Sequence, residues 1–157
     1  VHREASAEAA EYWKTYEWYP QRAGRPDLAV PQARAMDRDT DPIVRQELAR
    51  LAALQSASQW TAQRAIAARA MGRQPGAEGS IGKLNASGIA RHSADVHSMI
   101  AGAQALLNGP TASERGVIAE VLVSVPAVSI AGGTDEIQHN ILGERVLGLP
   151  KEPSAPD

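Results

Sequence analysis

Asp41-Pro42-Ile43-Val44-Arg45-Gln46-Glu47-Leu48-Ala49-Arg50-Leu51 is the stretch from which the architecture can be read. The Asp41 carboxylate can accept hydrogen bonds from the free amides of a first helical turn. Pro42 suits the first helical position, where its missing N–H costs nothing. Val44, Leu48, Leu51, Gln55, Ser58, Ala62 and Ile66 then recur at three- and four-residue spacing, which predicts one face of a helix reaching about Met71. That face turns small and polar halfway along, as expected where another helix comes close. Gly72 and Pro75 end it.

The pattern continues downstream. A second long helix is predicted from about Ala77 to Leu107, with Ile81, Leu84, Gly88, His92, Val96, Met99, Ala103 and Leu106 inward. Gly82 and Gly88 each lower its intrinsic helicity by about 1 kcal/mol relative to Ala, so tertiary packing must hold it. Residues Ala112 to Ile130 read as a third helix with Ile118, Leu122, Val125 and Ser129 on its apolar side, kinked or interrupted by Pro126. Val121 to Val125 would also suit a buried strand, but the chain offers no partner strand. After Gly132-Gly133, Thr134 can cap a last helix from Asp135 to Leu147, with Asp135 and Glu136 favourably placed in its first turn. The expected fold is all-α, an antiparallel four-helix-bundle-like domain over residues 41–157.

Residues 1–40 form a separate N-terminal segment in this reading. Ser6 to Glu17 can make a short helix, and Pro20, Gly24 and Pro26 then break the pattern before Leu28-Ala29-Val30. Tyr12, Trp13, Tyr16, Trp18 and Tyr19 crowd this region, Trp60 stands apart and Phe is absent. The core of the domain must then close with aliphatic and small side chains. Val1 is read as an artificial or cleaved boundary, or as following an unobserved start.

Composition narrows the function. With 43% hydrophobic and 22% charged residues in 157, the chain fits a soluble globular domain. A net charge of -2 without a basic tract argues against nucleic acid. No run approaches the roughly 20 apolar residues of a membrane span. The absence of cysteine excludes disulfides, thiolate metal sites and cysteine nucleophiles, and is compatible with the cytoplasmic location expected here.

The residues most informative about chemistry are Ile130-Ala131-Gly132-Gly133-Thr134-Asp135-Glu136-Ile137-Gln138. Adjacent glycines before a capping threonine expose backbone amides at a helix start, where a phosphate, a carbonyl oxygen or a ring edge can sit. The plainer reading is a well-capped turn between helices. Asp135 and Glu136 put negative charge where a phosphate would lie, and the P-loop lysine is missing. His92 and His97 point to different sides of one helix, and His2 and His139 are remote in sequence, so no metal site is expected. His92 is expected in the core or an interface, and His97 exposed or at an interface. Ser93 and His97 lack a group to orient the base, while Glu136 and Glu144 are too far apart to share a site.

Gly132-Gly133-Thr134-Asp135-Glu136-Ile137-Gln138, with Asn140-Ile141 and Gly143-Glu144-Arg145-Val146-Leu147-Gly148-Leu149-Pro150, resembles the closing signature of the acyl-CoA dehydrogenases. Support extends over roughly Asp41 to Pro153, including Asp41 to Gln46 and Ser80-Ile81-Gly82-Lys83-Leu84. The resemblance implies a C-terminal helical domain that shares an FAD and an acyl-CoA thioester with an N-terminal helical domain and a β-domain. It also implies a homo- or hetero-oligomer, an electron-transfer partner, and α,β-desaturation by α-proton removal with hydride transfer to flavin. Thr134, Asp135 and Glu136 would touch FAD, and Gly133 would lie beside the thioester. Ser98, Ala101 and Gly102 would meet the adenosine end of a neighbouring subunit's flavin, although the family usually has glutamine and paired glycines there.

The resemblance leaves the catalytic residue unknown. Many members carry the base at the position of Gly132, which has no side chain. Others carry it on the domain's first helix, where Glu4, Glu8, Glu11 and Glu17 cannot be ranked. A mixed complex in which another subunit type supplies the base is a third arrangement, as in steroid-degrading relatives. The fragment by itself is expected to be inactive and, with faces meant for absent domains, to self-associate. The alternatives are a non-catalytic subunit, a helical interaction module, or a related flavin enzyme such as an acyl-CoA oxidase.

Overall fold

The computed structural model describes residues 20–74, 76–109 and 111–151. The helix expected over Ser6 to Glu17, its carboxylates and the aromatic cluster lie outside them. The described residues are all helical or irregular, with no strand. Five α-helices run in the order α1 (Pro26–Ala35), α2 (Pro42–Ala70), α3 (Glu78–Ala101), α4 (Val117–Ser124) and α5 (Asp135–Arg145). Short 3-10 turns cover Pro20–Ala23, Gly102–Leu106, Ser113–Gly116 and Val125–Ser129.

Helix α2 begins as its sequence requires. Asp41 Oδ1 accepts hydrogen bonds from the Ile43 and Val44 amides at 2.9 and 3.3 Å, and Pro42 opens the helix. Val44 and Leu51 are buried against α1 and α3 together with Ala29, Ala33, Val96 and Ile100. Beyond Leu51 no residue of the helix is fully buried, although Ser58, Thr61 and Ala65 remain half-buried. Trp60 and Ile66 are each 66% exposed, so the inward face predicted to reach Ile66 stops short of it. Gln55, Ser58 and Ala62 border a groove of about 670 Å³ lined on its other side by Ile89 and Ala131.

Helix α3 is the axis of the fold: α1, α2, α4 and α5 all pack on it. Its buried face includes Val96, as expected, but otherwise differs from the one expected from its larger residues. Ser80, Ser87, Ala90, Ser93, Ala94, Val96, His97, Ile100 and Ala101 are buried, whereas Met99 and Leu106 are exposed and Ile81, Leu84, Gly88 and His92 are half-buried. Small side chains let neighbouring backbone come close. A Cβ on Gly24 would stand 2.6 Å from the Ala90 carbonyl oxygen, and Gly24 has φ +83, so this contact tolerates only glycine. Helix α3 also ends early. At Gly102, with φ 55 and ψ -134, the α-helix gives way to a 3-10 turn instead of continuing to Leu107.

Other departures follow from proline and left-handed backbone. The segment after Pro20, read as loop, contains α1. Pro26 starts this helix, and Pro31 is tolerated inside it while Ala29, Gln32 and Ala33 are buried. The third helix is α-helical only over Val117–Ser124. Glu114, Arg115 and Gly116 have positive φ, which delays its start. Pro126 cannot donate to the helical ladder, and the chain continues as a 3-10 turn over Val125–Ser129. Val121 to Val125 are nevertheless helical, as preferred over a strand.

His97, expected at the surface or an interface, is fully buried. Its Nε2 lies 3.2 and 3.0 Å from the carbonyl oxygens of Gly24 and Arg25, so this nitrogen carries the proton and donates. On the other side of the ring, Nδ1 lies 2.5 Å from Gln32 Oε1, and the Gln32 amide nitrogen donates to the Ser113 hydroxyl at 3.2 Å. Burial pushes the imidazole below its ordinary pKa, against the opposing pull of the Arg25 and Gly24 carbonyls.

An unfolded His97 takes up a proton below about pH 6.5 and the folded one resists it, so acidification favours unfolding. Thermal melts should show a stability contribution that is complete above about pH 6.5 and shrinks as the pH falls toward 5. The His97→Gln variant should lose that slope; an identical slope in the variant would refute the assignment.

Candidate functional site

The turn from Ile130 to Gly133 stands at the surface between the Val125–Ser129 turn and α5. Gly132 and Gly133 have φ +68 and +88, a backbone that other L residues adopt only with strain. Nothing lies within 4 Å of a Cβ built on Gly132. The amides of Gly132 and Gly133 make no hydrogen bond among the described residues. Thr134 caps α5 as predicted: its hydroxyl oxygen accepts from the Ile137 amide at 3.3 Å. The Gln138 side chain donates back to the Gly132 carbonyl at 3.3 Å. The result is an open patch of main-chain donors beside a helix N-terminus.

Asp135 faces the other way. It is 5% exposed, with Lys83 Nζ at 2.5 Å from Oδ1 and Arg91 Nη1 at 2.9 Å from Oδ2. Lys83 also donates to the Ser129 carbonyl at 3.2 Å, and Arg91 to the Ser129 hydroxyl at 2.9 Å. Ser87 Oγ donates to the Val128 carbonyl at 3.3 Å. Burial opposes the Asp135 charge, but the hydrogen bond and charge of Lys83, with the Ser87 and Ser129 hydroxyls close by, outweigh it and hold the pKa down to about 2. Glu136 is exposed, and its own amide and the Thr134 hydroxyl lower its pKa. Both carboxylates are therefore weak bases. The turn can bind and orient a ligand, but it holds no group suited to abstracting a proton from carbon.

The remaining residues singled out from sequence lie elsewhere. Ser98 is half-buried and donates to the Ala94 carbonyl of its own helix, Ala101 is buried and Gly102 is exposed at the end of α3. By the rise of an α-helix, Ser98 stands about 22 Å along α3 from Lys83 and about 10 Å from Arg91, the two residues that hold Asp135. Gly133, Thr134, Asp135 and Glu136 are contiguous at the start of α5, and Ser98, Ala101 and Gly102 lie further along α3 than either cation. His92 is half-buried beside Glu47, 3.3 Å from its carboxylate. No group of His, Asp or Glu that could hold a metal occurs among the described residues. The reading from sequence gave no structural role to Lys83, Ser87 or Arg91. Their four-residue spacing on one helix face was the available signal.

Comparison with known proteins bears on this geometry. Residues 31–147 match the model of the acyl-CoA dehydrogenase C-terminal domain. The chain belongs to the acyl-CoA dehydrogenase family. The match starts inside α1, upstream of the resemblance noted at Asp41, and includes the turn and all of α5. Among solved structures, the one described as the Tcur3481-Tcur3483 steroid ACAD aligns with a TM-score of 0.70 at 22% identity, over 81% of this chain and 34% of that one. The ChsE4-ChsE5 complex from Mycobacterium tuberculosis aligns with a TM-score of 0.65 at 21% identity, over 81% and 37%. The chain spans about a third of the length of these solved chains, and at such identities they support the fold alone. No curated protein matches it. Among the described residues, no helix is long and apolar enough to cross a membrane.

The paired glycines generate a comparative prediction. Gly132→Ala meets only backbone strain, about 1 kcal/mol, because space beside it is open. Gly133→Ala adds a Cβ 2.8 Å from Gln138 Nε2 and disturbs the bond to Gly132. Denaturant titration should find Gly133→Ala the less stable variant; equal stabilities or the reverse order would contradict the turn geometry.

Proposed function

We propose that these residues form the C-terminal helical part of an FAD-dependent acyl-CoA dehydrogenase that introduces an α,β double bond into an acyl-CoA thioester. The observation that carries this is the open Gly132–Gly133 main chain, set at the N-terminus of α5 within the family's matched region. A flavin, when bound, would accept the hydride released from the β-carbon. The fit is good for a backbone-lined contact: Gly133 would adjoin the thioester, with Thr134 and Glu136 toward the flavin. Asp135 fits only through its main chain, because its carboxylate is committed to Lys83 and Arg91.

Ser98, Ala101 and Gly102 lie toward the far end of α3 from Lys83. They suit the adenosine end of a second flavin, on a neighbouring subunit. That requires an oligomer, homomeric or mixed, and Trp60, Ile66, Leu106 and Leu147 are among the exposed apolar residues available to cover. The base must come from another segment or subunit, since Gly132 has no side chain and Asp135 and Glu136 are weakly basic. That bareness also favours a second reading, a non-catalytic subunit paired with a catalytic one. In either case the N-terminal and β-domains of the family would complete the site, an electron-transfer partner would reoxidise the flavin, and the cytoplasm would be the setting.

The test is to purify the intact protein carrying this chain, and residues 1–157 by themselves. The intact protein, with its partner subunit where there is one, should show flavin absorbance and acyl-CoA-dependent dye reduction, and residues 1–157 neither. Oxygen consumption in place of dye reduction would identify an oxidase. Turnover by residues 1–157 alone, or an intact assembly without flavin, would overturn the proposal.

A further inference from the structure

We propose that Lys83 and Arg91 are positioning residues for the flavin-facing turn: from one face of α3 they grip Ser129 and Asp135 and so set where the Gly132–Gly133 main chain is presented. This rests on the functional reading above. The attachment lies on both sides of the turn. Upstream, Ser87 holds the Val128 carbonyl, Lys83 the Ser129 carbonyl and Arg91 the Ser129 hydroxyl. Downstream, both cations hold Asp135. Lys83, Ser87 and Arg91 follow one another at four-residue spacing, so a single stripe of α3 provides these contacts.

Between the anchors the turn is held by the Ile130 and Ala131 amides on the Ala127 carbonyl and by the Gln138 side chain on the Gly132 carbonyl. Ile130, Ala131, Gly132 and Gly133 are exposed, and glycine backbone at positive φ has no side chain to hold it. Apart from those contacts its position depends on its two ends. Each cation bridges them: Lys83 and Arg91 both touch Ser129 and Asp135, which closes the open span into a braced loop. Arg91 is 55% exposed and Lys83 17%, so Lys83 is the inner member and the more constrained. A buried carboxylate with two cations is a costly way to secure a helix start that Thr134 already caps. The arrangement is better matched to a turn whose place must not vary, because catalysis with a flavin depends on orientation.

The test uses the intact flavoprotein and its Lys83→Met, Lys83→Arg and Arg91→Gln variants. Lys83→Met should speed hydrogen exchange at the amides of Ile130, Ala131, Ile137 and Gln138 while α2 stays protected. It should weaken flavin binding by about tenfold in a titration of the deflavinated protein and shift the flavin absorbance bands. Lys83→Arg should restore both. Arg91→Gln, at an exposed side chain, should give the same pattern more weakly, and it carries the test if Lys83→Met does not fold. Flavin affinity and spectrum unchanged in a folded variant, or faster exchange spread evenly over all helices, would overturn the positioning role. A wild-type protein that takes up no flavin would defeat the functional reading instead, and the exchange pattern would still decide whether the clamp holds the turn.

Discussion

Close approach to helix α3 is the constraint on which the structure rests. Its buried face is built mainly of Ser, Ala and one His, so the elements packed on it come near its backbone instead of interlocking through large side chains. Gly24 against Ala90 is the extreme case. Such a face brings polar atoms into the core, and they need partners. Ser93 donates to the Gly24 carbonyl at 2.6 Å, Ser87 to Val128, and His97 to Gly24 and Arg25. The hydroxyls and the imidazole thus do two things: they permit proximity by being small or flat, and they satisfy the carbonyls that proximity buries.

This is also why the fold was only partly legible in advance. Local signals that act within a few residues were read well: the Asp41 cap with Pro42, the Thr134 cap after two glycines, and the helical state of Val121 to Val125. The inward face of α3 was not, because a rule that ranks faces by apolar bulk selects Leu84, Met99 and Leu106. The true face is marked by smallness, and smallness at the surface looks the same in sequence. Helix α1 was hidden by Pro20, Gly24 and Pro26, which read as breaks when the packing of Ala29, Gln32 and Ala33 on neighbouring helices is unseen. His97 was misplaced for the same reason. Its partners Gln32, Gly24 and Arg25 are more than sixty residues away in sequence.

The site divides along similar lines. The glycine turn and its cap belong to a contiguous signature and could be read directly. The direction in which Asp135 points could not. A carboxylate at a helix start is ordinarily solvated and favoured by the helix dipole, and only the tertiary fold brings Lys83 and Arg91 to it. Asp135 and Glu136 are neighbours in sequence with opposite fates. One is buried between two cations, and the other is left at the surface beside the Thr134 hydroxyl. Residue type and spacing alone do not separate the residue that braces a site from the one that can face a ligand.

The length of α3 has a consequence for assembly. The turn near Lys83 and the stretch from Ser98 to Gly102 lie toward opposite ends of one helix, and a continuous α-helix does not fold back to bring them together. If both stretches contact flavins, they contact different parts of an extended cofactor or different cofactors altogether. In either arrangement, the separation is set by the helix and not by a flexible loop. The same small-residue packing that holds the domain together thus fixes α3 as the ruler between the two stretches.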